Sequence, residues 1–141
     1  MCCVGPGYEP PVKRSWRLAV AVPCSLVADV PHLREKTSRL GFLGRALGIF
    51  RVDEALIYSD LPGDEARREG RFISSVLTYM ETPQHLRKRL LRMSPDLRFV
   101  GVLPPLRTPN HPVSRRVEDL RIGETREGVV VEADSQASRV D

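Results

Sequence analysis

Three short apolar runs, separated by stretches with helical periodicity, set the tightest limit on what this chain can fold into. Residues 17–22 are almost continuously apolar and stop at Pro23. A run of that kind suits a strand covered on both faces, because clean alternation marks a strand with one wet face. A second run, Ala55-Leu56-Ile57-Tyr58, ends in Ser59-Asp60-Leu61-Pro62-Gly63, and a third covers residues 97–102. After Pro31, whose fixed φ suits a first helical turn, Leu33, Leu40, Leu43, Leu47 and Phe50 recur at helical spacing. Behind Asp64, a candidate cap, Ile73, Val76, Leu77 and Met80 keep the same period. Thr82-Pro83 restarts the chain into a short helix with Leu86, Leu90 and Leu91 inward. The order β-α-β-α-α-β predicts an α/β fold, a parallel sheet with flanking helices.

Two features stand out against that frame. Gly41, Gly44 and Gly48 share one face of the first helix. An interior glycine costs about 1 kcal/mol relative to alanine, so three together imply a backbone in close approach, within the domain or across a dimer. A helix broken at Gly41 is the alternative. The second feature is the loop 103–112, which holds Pro104, Pro105, Pro109 and Pro112 around Arg107 and His111. It is too proline-rich for helix or central strand and reads as a shaped recognition or active-site element. If 97–102 is a parallel strand, Arg107 stands at its carboxyl end, where open α/β sheets place ligands. There a guanidinium can hold a phosphate or stabilise developing negative charge. A structural arginine satisfying loop carbonyls is the alternative, and a polyproline ligand is disfavoured because the loop sits inside a domain.

The net charge of +4 biases the chain mildly toward polyanions, and an aromatic share of 6% argues against a broad base-stacking surface. Lysine occurs only at Lys13, Lys36 and Lys88, so the basic residues are overwhelmingly arginine. Arginine grips phosphate in fixed geometry, although base composition of the genome would also enrich it. Arg87, Lys88, Arg89 and Arg92 form a cluster suited to a nucleic-acid backbone, or a solvated helix face. Cys2, Cys3 and Cys24 have no metal or disulfide spacing, which fits a reducing cytoplasm. The basic-then-apolar stretch 13–28 mimics a leader, but Pro23 and Ser25 interrupt it, and no run is long enough for a membrane span. Glycine fingerprints, phosphate loops and nucleophile elbows are absent.

Three segments together carry a resemblance: His32-Leu33-Arg34-Glu35-Lys36-Thr37; Ile49-Phe50-Arg51-Val52-Asp53-Glu54 running into Ile57-Tyr58; and Glu81-Thr82-Pro83-Gln84-His85-Leu86-Arg87-Lys88-Arg89-Leu90 leading into the proline loop. From residue 16 to about 135 the chain resembles SPOUT-class RNA methyltransferases of archaea and eukaryotes, whose sheet domain carries an inserted OB-like barrel. Residues 1–14, rich in Gly and Pro at their start, read as a flexible arm. The resemblance implies the N-terminal part of a SPOUT-like α/β domain at 15–112 and the beginning of the inserted β module at 113–141. It further implies an S-adenosylmethionine-dependent enzyme acting on uridine N3 of ribosomal RNA, and a homodimer. The cofactor knot of that family follows the barrel, so the methyl donor is expected on a downstream polypeptide. Arg107, Arg34 and His111 become candidates for the substrate side, with Lys36, Arg87, Lys88, Arg89 and Arg92 on the RNA. The competing expectation is a non-catalytic RNA-binding or adaptor module without the knot.

Overall fold

The computed structural model describes residues 12, 14–108, 111, 126–134 and 137–140. Most of the expected arm therefore lies outside the described residues, as do Pro109, Asn110, Pro112 and the stretch 112–125. Two parallel strands, β1 (Ala19–Pro23) and β2 (Glu54–Tyr58), pair in register from Ala19↔Glu54 to Pro23↔Tyr58. Helix α1 (Leu33–Ile49) makes the crossover between them, and α2 (Gly63–Glu81) follows β2. A single short helix, α3 (Arg87–Leu90), comes next. Farther along, β3 (Val130–Ala133) and β4 (Ser138–Val140) form a separate antiparallel pair.

Helix α1 begins two residues after Pro31, with His32 at its N-cap, and runs unbroken through Gly41. Asp64 does not cap α2; Pro62 holds the cap position, and Asp64 and Glu65 sit in the first turn, where carboxylates favour the positive helix end. Leu40, Ile73, Val76 and Val27 are fully enclosed and form the core with Phe72 and Leu97. Phe50, expected in the core stripe, is instead 68% exposed at the end of α1.

The third strand does not form. Residues 97–102 fall largely into two 3-10 turns, Pro95–Leu97 and Val100–Val102. The apolar signal there is real, since Leu97 is buried and Val100 packs on the core. Pro95 opens the first turn and Gly101 interrupts the second, and neither residue favours a ladder. Nor is β1 covered on both faces. Val22 is buried and Val20 half-buried toward the helices, whereas Ala19 and Ala21 are exposed beside Leu56 and Tyr58. Among the described residues, no helix is long and apolar enough to cross a membrane.

Candidate functional site

The glycine face of α1 meets its partner inside the domain. A Cβ at Gly41 would fall 2.8 Å from Pro104 Cδ and 3.1 Å from a Leu103 methyl. At Gly48 it would meet Thr108 and Leu106, and at Gly44 it would lie 2.7 Å from the Met80 sulfur. One row of glycines thus beds the proline loop along α1 and lets α2 cross closely in the middle.

His111 locks the far end of that loop. Its ring is 6% exposed, and Nε2–H donates to the Met80 carbonyl at 2.9 Å. A carbonyl only accepts, so in the neutral ring Nδ1 takes the hydrogen bond from the Thr108 hydroxyl, at 2.8 Å. The backbone N–H of His111 also donates to the Thr108 carbonyl at 2.9 Å. Met80 is in the last turn of α2, where carbonyls lack helical partners, so His111 acts as a C-terminal cap delivered from a loop. Both ring nitrogens are occupied by these bonds.

Beside this anchor opens a cleft of about 1420 Å³ between the end of α1, the start of β2 and the end of α2. Arg107 is exposed on its wall, with Thr108, Arg51 and Glu127. Residues Val52, Asp53 and Glu54 line it too, which puts the cleft at the amino end of the parallel strands. The expectation that Arg107 stands at a strand's carboxyl end is therefore corrected, because the strand it was to follow is absent from 97–102.

Arg14 closes the same end from below, although it falls within the stretch expected to be a loose arm. Its guanidinium donates to the carbonyl of Phe50 at 2.8 Å, to that of Arg51, and to Asp53 at 2.9 Å. Asp53 in turn accepts from the Leu18 N–H at 2.9 Å. Arg51 follows α1 with φ at +50°, and Val52 N–H returns to the Leu47 carbonyl at 3.0 Å. This is the left-handed helix ending that glycine usually takes.

The other proposed residues scatter. Arg34 is exposed in the first turn of α1, about 21 Å along the helix from the Gly48 turn that underlies Thr108, at 1.5 Å per residue. It does not share a site with Arg107. Lys36 is 13% exposed and grips both oxygens of Glu69 at 2.7 and 2.8 Å, so its ammonium is committed to an internal ion pair. Arg87 is half-buried over the Tyr79 ring at 4.3 Å and donates to the Thr82 carbonyl at 2.9 Å. Lys88, Arg89 and Arg92 are exposed. His85 Nε2–H donates to the Glu127 carbonyl at 3.0 Å, tying the approach to β3 onto the segment after α2.

At the carboxyl end, the loops after β1 and β2 are joined through Asp60. It accepts the Ser25 N–H at 2.9 Å and also the Ser25 hydroxyl. That hydroxyl bond, ahead of partial burial which acts the other way, holds the Asp60 carboxyl below its ordinary pKa. Cys24 is buried beside them, and burial first, then Asp60 and Glu69, pushes its thiol upward. It is a neutral packing group rather than a nucleophile.

The sequence of a whole family fits over this frame. The family described as "Putative RNA methyltransferase" matches residues 17–141. The chain belongs to that RNA methyltransferase family. Among its relatives, an uncharacterized protein of Haloarcula marismortui is 39% identical over 114 residues, covering 81% of this chain and 39% of the relative. The 28S rRNA (uridine-N(3))-methyltransferases of mouse and human are each 34% identical, over 136 and 131 residues. Those matches cover 88% and 84% of this chain and 34% of each enzyme. The chain spans well under half the length of the relatives it matches.

Proposed function

We propose that this chain is the N-terminal, substrate-side portion of an S-adenosylmethionine-dependent, SPOUT-class methyltransferase acting on uridine N3 of ribosomal RNA. The observation that carries the reading is the 34% identity to two enzymes bearing that name across at least 84% of the chain. On this reading β3 and β4 open the inserted OB-like module, and the working enzyme is a cytoplasmic homodimer. The exposed apolar face of β1 and β2 supports a covering downstream polypeptide, because parallel sheets are ordinarily buried on both sides.

On this reading the methyl donor docks on the downstream polypeptide. What this chain supplies is substrate handling. Uracil N3 carries a proton that must leave, and the ring then bears negative charge on N3 and its flanking carbonyls. Arg107, exposed on the wall of the larger cleft, is placed to stabilise that charge. His111, with both nitrogens engaged, serves by holding the Arg107 loop rather than by moving the proton. Lys88, Arg89 and Arg92 contact phosphates and set the register of the RNA. Lys36 and Arg87 act in the scaffold.

Titration with S-adenosylmethionine tests the reading. The chain alone should not bind, whereas the chain joined to polypeptide matching the remainder of its relatives should bind and methylate uridine. In that assembly Arg107→Ala should lower turnover by about 10²–10³, as loss of an oxyanion donor does, with folding unchanged. Unaltered turnover would remove Arg107 from the mechanism. Binding of RNA by the assembly without any methyl transfer would favour an adaptor instead.

A further inference from the structure

A second cleft, of about 730 Å³, lies toward the carboxyl end of the parallel strands, adjoins the first at Ile57 and Ser74, and contains none of the residues assigned a role above. Its floor is apolar, made by Ile57, Cys24 and Gly70, and its rim carries Arg67, Arg71 and Ser59. It sits where β2 ends and α2 begins, at the carboxyl end of both strands, the position where open α/β sheets receive ligands.

Arg67 and Arg71 are one helical turn apart, so both guanidinium groups reach the same side of α2. Both are exposed. Arg67 has only a 3.7 Å contact with Asp64, and those two side chains are 82% and 98% exposed, so an incoming anion loses little by displacing Asp64. Arg71 has no ion pair among the described residues. The nearby carboxylate of Glu69 is already neutralised by Lys36 and touched by Arg68 at 3.3 Å. Gly70 matters to the floor: a Cβ there would lie 3.2 Å from the Cys24 sulfur, so its absence lets α2 settle close to the end of β1.

We propose that this cleft holds one unstacked nucleotide of single-stranded RNA, its phosphate on Arg67 and Arg71 and its base against the Ile57–Cys24 floor. Two forked cations beside a floor of Ile57, Cys24 and Gly70 match a phosphate joined to a flat ring. The Asp60 carboxylate near Cys24 is engaged by Ser25, and that of Glu69 by Lys36. Single-stranded RNA is commonly recognised with its bases unstacked and splayed out. The inference rests on the RNA-acting reading and deepens it, because the substrate then spans both ends of the strands: Arg67 and Arg71 at one, Arg107 at the other.

The test uses a fluorescent oligouridylate, with affinity measured by anisotropy across a salt series for the native chain and for Arg67→Gln/Arg71→Gln. Both arginines are exposed, and circular dichroism confirms that the variant folds. The expected result is at least a tenfold loss of affinity at low salt. The slope of log K against log salt should also shrink by about 1.4, two phosphate contacts at about 0.7 each. Affinity within twofold of native, with an unchanged slope, overturns the proposal, and so does failure of the native chain to bind the oligonucleotide. The methyl-transfer assay of the assembled enzyme reports separately on the proposed function, so either can fail while the other stands.

Discussion

The amino and carboxyl ends of the β1–β2 pair are fastened by different kinds of force. At the amino end the fit is mainly one of shape: glycines of α1 bed the proline loop, and His111 reaches a helix-end carbonyl through a neutral hydrogen bond. One ion pair there, Arg14–Asp53 at 2.9 Å, pins the chain before β1. At the carboxyl end it is charge. Lys36–Glu69 joins α1 to α2, Asp60 joins the two strand-end loops, and Arg39 pairs with Asp29 at 2.6 Å while donating to the Leu26 carbonyl. The difference shows which cations the fold has consumed. Lys36, basic in the sequence, is spent internally, whereas Arg67 and Arg71 remain available to a ligand.

Three substitutions sharpen that contrast. The largest effect is expected from Lys36→Met. It strands a Glu69 that is 4% exposed, and should cost about 3 kcal/mol in denaturant unfolding, the low end for a broken buried pair because Arg68 stays nearby. Adding Glu69→Leu should restore most of it. If Lys36→Met unfolds normally but loses RNA affinity, the lysine faces RNA and the ion-pair account of this end is wrong.

Next comes His111→Ala, which leaves the Met80 carbonyl and Thr108 hydroxyl without their partner. A loss of about 2 kcal/mol is expected. Hydrogen exchange should localise the damage to the end of α2 and the proline loop, leaving the carboxyl end protected. Damage spread evenly over both ends would mean that the two are not independent.

The smallest effect runs the other way. Arg51 occupies a left-handed conformation that glycine adopts freely, so Arg51→Gly should stabilise the chain by about 0.5–1 kcal/mol, read as a raised unfolding midpoint. A lowered midpoint would show that its guanidinium contributes more than the backbone strain costs.

Much of the local architecture was legible in the residues. The period of Ile73, Val76 and Met80 identified α2, and the three glycines announced a close approach. Both signals are local, because a helix writes its buried face at fixed spacing. The run 97–102 misled because burial alone does not distinguish a strand from a pair of 3-10 turns pressed into a core. Arg67 and Arg71 went unremarked, since an arginine pair one turn apart is common on any solvated helix.

What the order of amino acids determined unaided was the inventory: a β-α-β unit, a stiff loop after it, and an excess of arginine over lysine. Which cations face outward was decided only by the tertiary structure. Whether Lys36 meets Glu69 depends on how α1 crosses α2, and that crossing brings together side chains 33 residues apart. The same packing set Arg34 and Arg107 at opposite ends of the domain, because a helix antiparallel to its strands carries its first turn to their carboxyl end and its last turn to their amino end.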